Sequence, residues 1–165
     1  MRAQIWSMDL IASITIFVLA IALVMFSWSY ASCQNQQQAV SNMIEKKALS
    51  VSDALIRTRG FPENWNTTTV IAVGLASEEG VLNTTKVSEF IDMDCGKIKH
   101  LLGIENYNFY FEINDTLTNA AVETEDGKNA TKGEFPAGWA TAVVPIERYV
   151  LFGNRPAKMR FILWQ

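Results

Sequence analysis

The sequence predicts an α+β protein: one long N-terminal helix, then a small antiparallel β-sheet with two short helices inserted. Three stretches carry that expectation. Residues 10–31 hold neither charge nor proline. Residues 34–59 hold neither proline nor glycine and carry a single apolar stripe. Residues 139–152 and 156–164 are two strand-like runs on either side of Gly153-Asn154.

As a helix the run at 10–31 spans roughly 33 Å, about the thickness of a bilayer's hydrocarbon core. Trp6 and Trp28 bracket it, where interfacial aromatic side chains sit. Three readings stand side by side: a secretory signal peptide, a single-pass anchor, and an assembly helix kept after a short leader is removed. The run is longer than a signal-peptide core, and only Ala31-Ser32-Cys33 follows it as a weak cleavage site. Arg2 and the amine on the short side point the N-terminus to the cytoplasm and the remaining chain outward. Asp9 is the only acidic residue before Glu45, and an acid in the first turns complements the helix dipole.

Beyond the apolar run the helix continues. Val40, Ile44, Ala48, Val51 and Leu55 recur at helical spacing, with Met43 and Leu49 beside them. Gln36, Gln37, Asn42, Lys46, Lys47 and Asp53 lie mostly off that stripe. Gly60 is placed to end the helix and Pro62 to prevent its resumption. A stripe of this kind needs a partner surface, and a sheet is the expected supplier.

Residues 68–76, β-branched and apolar, read as a strand. Glu78-Glu79-Gly80 reads as a turn and residues 81–83 as a short extended piece. Thr84 or Thr85 is expected to cap a helix through Val87, Phe90 and Ile91. A second short helix is expected at 97–102, ending at Gly103. Residues 107–113 read as a strand with Phe109, Phe111 and Ile113 on one face and Tyr110 and Glu112 on the other. The polar segment 115–137 reads as a long loop or weak hairpin. Gly153-Asn154 makes the final hairpin turn, and Pro145 marks an edge or bulge.

About 130 residues lie outside the apolar run, enough for one compact domain. The net charge of −3 leaves no basic footprint for nucleic acid. Cys33 and Cys95 lack metal-type spacing. A disulfide between them is permitted outside the cytoplasm, and two separate thiols are the alternative. Asn66, Asn83, Asn114 and Asn129 each begin an Asn-x-Thr sequon, an acceptor for N-linked glycan where it faces outward. Asn114 and Asn129, flanking the polar segment, are the favoured pair, while Asn83 has a structural alternative as a turn or cap. His100 is the only histidine, and no GxSxG, HExxH or P-loop pattern occurs. Glu123, Glu125 and Asp126 lack the ligand spacing of a calcium loop. Trp65, Trp139 and Trp164 read as core or turn residues, with adhesion by an exposed Trp65 as the alternative. The expectation is a non-enzymatic protein without cofactor or metal.

Arg2-Ala3-Gln4, set directly ahead of a long apolar helix, resembles the class III signal of archaeal type IV pilins and related surface proteins. FPENW at 61–65, VGL at 73–75, VLNTTK at 81–86, KHLLGIENYNFYFEI at 99–113 and ERYVLFGNRPAKMRFILW at 147–164 resemble segments of the same family, in the same order. The resemblance implies a type IV pilin-like fold: a leader at 1–3, a long helix at 4–59 with its transmembrane segment at 10–31, and an extracytoplasmic domain at 60–165. It implies a prepilin peptidase cutting between Ala3 and Gln4. Assembly machinery would then build a homo- or hetero-polymer with other pilins, in a surface filament or pseudopilus serving adhesion, attachment, secretion or uptake. Asp9 would pair with a neighbour's N-terminal amine, although these proteins usually carry a glutamate at the fifth mature position and Asp9 would be the sixth. The family contributes no catalytic residues. The alternative is an anchored, non-polymerising domain that holds a ligand or partner on its sheet or at 115–137.

Overall fold

In the computed structural model, residues 3–165 are described, with the helical backbone alone for 3–7 and 33–40. The chain is α+β: a long N-terminal helix with an apolar first half, followed by a mixed sheet. Helix α1 is Ala3–Arg57, α2 is Thr84–Asp92 and α3 is Cys95–Leu102. The strands are β1 (Ala76–Glu78), β2 (Val81–Leu82), β3 (Asn108–Asp115), β4 (Thr131–Gly133), β5 (Val143–Phe152) and β6 (Arg155–Trp164). Two compact units result, Met1–Asn42 and Met43–Gln165, and the second takes in the last turns of α1.

The sheet order is β1-β2-β5-β6-β3-β4. β6 is central and pairs antiparallel along its whole length with both β5 and β3. The sheet is not wholly antiparallel as expected, because β2 runs parallel to β5 through Val81↔Leu151 and Leu82↔Phe152. The chain can make that parallel pair because α2, α3, β3 and β4 all intervene, far more than a tight turn.

The alternation of β3 and β6 decides what is inside. Phe109, Phe111 and Ile113 of β3 stand opposite Leu163, Phe161 and Met159 of β6. All six are buried, with Ile44, Ala48, Val51 and Leu55 of α1 in the same cluster. Phe90 of α2 meets Phe111 edge-on at 5.1 Å, and Phe109 stacks on Phe161. The stripe of α1 therefore faces the core as anticipated, although Met43 stays 66% exposed. The side chain of Val40 lies outside the described residues. Arg148 of β5 pairs with Asp53 of α1 at 3.0 Å, adding a polar tie beside the apolar one.

α1 ends at Arg57, two residues short of the expected limit, and Gly60 (φ 75°) lies three residues beyond it. The helix is closed by the following chain instead. Leu75 N–H donates to Leu55 O, Gly80 N–H to Ile56 O and Ala76 N–H to Thr58 O, at 2.9–3.1 Å. These carbonyls have no partner within a helix, and the residues around β1 supply one. Gly60 is needed for a different reason. A Cβ there would lie 2.5 Å from the indole nitrogen of Trp65, and that nitrogen donates to Arg59 O and Gly74 O.

The threonine run after Asn66 does not form the expected strand. Asn66 Oδ1 accepts from the backbone N–H and hydroxyl of both Thr68 and Thr69, at 2.7–3.0 Å. That local capture competes with ladder bonding and folds 67–69 into a turn. Only the bridge Phe61↔Ala72 and the short β1 remain extended. The cap of α2 is likewise Asn83, whose Oδ1 accepts from Lys86 N–H at 3.1 Å, and not Thr84 or Thr85. Asp94 caps α3, and Gly103 closes it in the left-handed conformation.

Leu55→Ala should cost about 2–5 kcal/mol, because the side chain is fully buried at the centre of the helix–sheet contact. Met43→Ala, one helix face away, should change stability by less than about 0.5 kcal/mol. Urea unfolding of the full-length protein in detergent, followed by tryptophan fluorescence, separates the two.

Candidate functional site

Three regions carry chemistry: the apolar half of α1, the sequon asparagines, and the outer face of the sheet. In α1, Met8–Ser32 is long and apolar enough to cross a membrane, and none of its residues is buried. Two of its hydroxyls do not spoil that character. Ser13 Oγ donates to Asp9 O at 2.8 Å and Thr15 Oγ1 to Ile11 O at 2.7 Å, so each is satisfied within the helix. Asp9 sits at the second residue of this stretch and is exposed. Trp28 is exposed near its other end. By length and composition the stretch suits a membrane span, and its N-terminal place suits a signal sequence equally. Met1 and Arg2 lie outside the described residues, as do the side chains of Ala3, Gln4 and Trp6.

The four sequons differ sharply once folded. Asn114 lies in β3 and is only 7% exposed, so in the folded domain its amide is closed to a glycan, against the sequence expectation. Asn83 is half-buried and spends its Oδ1 on the α2 cap. Asn66 and Asn129 are exposed. Asn66 and Asn83 share the wall of a half-open cavity of about 350 Å³ with Lys86 and Glu89. Burial pushes the Lys86 ammonium below its usual range, and its Nζ donates to Arg59 O at 2.6 Å. Cys95 is a free, exposed thiol, while the side chain of Cys33 lies outside the described residues.

The segment 115–137 is a pinned hairpin and not a free loop. Bridges Asn114↔Ala121 and Glu123↔Asn129 lead into β4. Glu125 accepts from the Thr84 hydroxyl at the start of α2. Lys128 pairs with Asp92 and Lys132 Nζ donates to Ile91 O, both at the end of α2. The carboxylate meets the positive end of the helix and the ammonium groups its negative end, the favourable sense at both. Among the described residues no group of three or more His, Cys, Asp and Glu side chains is placed to hold a metal ion.

The outer face of the sheet is where the sequence reading was least complete. Trp65, read as a core or turn residue with an exposed ring as the alternative, is 3% exposed. Trp139 is instead 70% exposed, packed edge-on at 5.2 Å against buried Trp164. Phe135 packs the same way against Tyr110 at 5.3 Å. Trp164 Nε1 donates to Glu134 O, and Thr141 N–H donates to Gln165 O at 2.8 Å. These bonds fix the 134–142 segment over the end of β6. Below the rings, Arg160 reaches Glu112 at 2.7 Å and Glu147 at 2.9 Å, and Lys158 lies 3.6 Å from Glu147. Burial, then the hydrogen bond to Glu112, pushes the Tyr110 phenol up from its usual value. The signal for this face was the period of two in β5 and β6. It sets Trp164, Ile162, Arg160 and Lys158 opposite Val143, Pro145, Glu147 and Tyr149.

No family model, no curated protein and no solved structure matches the chain.

The hydrogen bond from Arg160 holds the Glu147 carboxyl below its ordinary value of 4.5. A carboxyl depressed in the folded state stabilises the domain above that ordinary value, and the contribution is lost as pH falls through the folded one. Glu147→Gln should therefore shrink the drop in urea midpoint on acidification below about pH 4.5, measured from pH 7 downward beside the unsubstituted protein.

Proposed function

We propose that the protein is a type IV pilin-like structural subunit, membrane-anchored through α1 and assembled through it into an extracellular filament or pseudopilus. One observation carries the reading. Met8–Ser32 is apolar with none of its residues buried, and the same helix runs on to end in the core of a folded domain. So much unburied apolar surface requires a second environment, either lipid or the corresponding helices of other subunits. The Arg2-Ala3-Gln4 signal and the ordered segment resemblances to archaeal pilin-like proteins select the polymer over a simple anchor.

In this reading a prepilin peptidase removes residues 1–3, and the assembly machinery packs the helices of successive subunits. Asp9 provides a charge near the head of the helix that a neighbour's N-terminal amine neutralises, a pairing worth far more in lipid than in water. The domain from Met43 onward faces outward, at the membrane before assembly and on the cell surface after it. Asn66 and Asn129 are its open sequons. The role is structural and needs no catalytic residue or cofactor. A non-polymerising anchored binding domain is the second reading, favoured by the exposed rings Trp139 and Tyr149 on the outer sheet face.

The intact mass of protein from its native membrane or surface fraction should lack Met1-Arg2-Ala3, with hexose-like increments on glycosylated forms. An N-terminus that is uncut, or trimmed of Met1 alone, would sink the pilin reading. Cleavage near Ala31 would establish a signal sequence. Asp9→Ala should abolish surface filaments while leaving the amount of membrane-bound subunit unchanged, and filaments at normal number would favour the second reading.

A further inference from the structure

We propose that the outer face of the sheet binds an uncharged polysaccharide built of flat, equatorially substituted pyranose rings, with Trp139 and Tyr149 as its stacking platforms. Trp139 and Tyr149 are 70% and 80% exposed. Trp139 is held by its edge-on contact with Trp164, and Phe135 by Tyr110. A ring oriented in advance, as Trp139 is, loses little conformational freedom when a ligand stacks on it. Their negative faces suit the C–H-lined face of a sugar ring.

Register sets the reach of the face. Trp164 pairs with Val143 at one end and Lys158 with Tyr149 at the other, a span of about 20 Å along β6. Several consecutive sugar rings fit along it. Between the rings lie Glu112, Arg160, Glu147 and Lys158, two acids and two bases bonded to one another. This ladder offers hydroxyl-binding groups without net charge, so a polyanion or an acidic lipid surface gains no attraction here. The exposed apolar side chains of this face are Phe135, Trp139, Val143, Tyr149 and Leu151. A second copy of the chain is the competing occupant, and light scattering tells the two apart.

The test uses the full-length protein in an amine-oxide detergent, so that no detergent sugar competes. The probes are microcrystalline cellulose and chitin in pull-down, and cellohexaose and chitohexaose in calorimetry. Wild type should bind at least one probe, with affinity unchanged between about 0.05 and 0.5 M salt. Trp139→Ala and Tyr149→Ala should each weaken binding by about fivefold to tenfold. Leu117→Ala, exposed in the turn after β3, should not. Circular dichroism establishes that each variant is folded. Failure of wild type on all four probes, binding by the two ring variants as tight as wild type, or steep loss with salt would each overturn the proposal. So would dimerisation by light scattering that Trp139→Ala abolishes. None of these readouts depends on filament formation, so the proposal and the pilin reading fail separately.

Discussion

The end of α1 is the joint on which the folded domain depends, and it is made twice over. Ile44, Ala48, Val51 and Leu55 bury one helix stripe in the core, which the hydrophobic effect alone would favour at many rotations and registers. The carbonyls of Leu55, Ile56 and Thr58 remove that freedom by accepting from Leu75, Gly80 and Ala76. A helix terminus left unpaired inside a domain is costly, so the chain that follows must pass close to it. That passage delivers β1 and β2 to the edge of the sheet beside β5. Trp65 and Lys86 both donate to Arg59 O nearby, so polar groups as well as apolar ones hold the joint in place.

The two faces of the sheet use different physics. The inner face is a close-packed apolar layer. The outer face is a strip of rings and ion pairs, in which each charge is neutralised by its cross-strand neighbour. Arg160 is the hinge of that strip because a guanidinium can serve two carboxylates in one plane. Glu112, nearly buried, would be hard to keep there without it. The 134–142 segment then covers the end of β6 by burying Trp164 and leaving Trp139 outside.

The apolar half of α1 obeys another constraint. Ser13 and Thr15 turn their hydroxyls back onto its own carbonyls, and none of Met8–Ser32 is buried. Asp9 is the single charge within that stretch. A charge kept at the head of an otherwise apolar helix costs least where it meets an opposite charge.

Much of this was legible in the order of the residues. The apolar run at 10–31, the stripe through Leu55, the alternation of 107–113 and the Gly153-Asn154 hairpin are local patterns, and local periodicity reports directly on which face a residue will present. The strand expected at 68–76 does not form in its first half because β propensity there yields to one side chain, Asn66, which captures Thr68 and Thr69. The outer-face site was hidden for a different reason. Trp139 and Trp164 lie 25 positions apart, and no short pattern tells which of two tryptophans is buried. Asn114 and Asn129 carry the same sequon pattern, yet only the fold separates a buried amide from an open one. Helix α1 with its inward stripe and the strands β3, β5 and β6 are written in the residue order, because they follow from hydrogen bonding and hydrophobicity within a few residues. The parallel pairing of β2 with β5, the closure of α1 and the ring-and-ion strip arise in the folded chain alone, because each joins groups that chain connectivity leaves far apart.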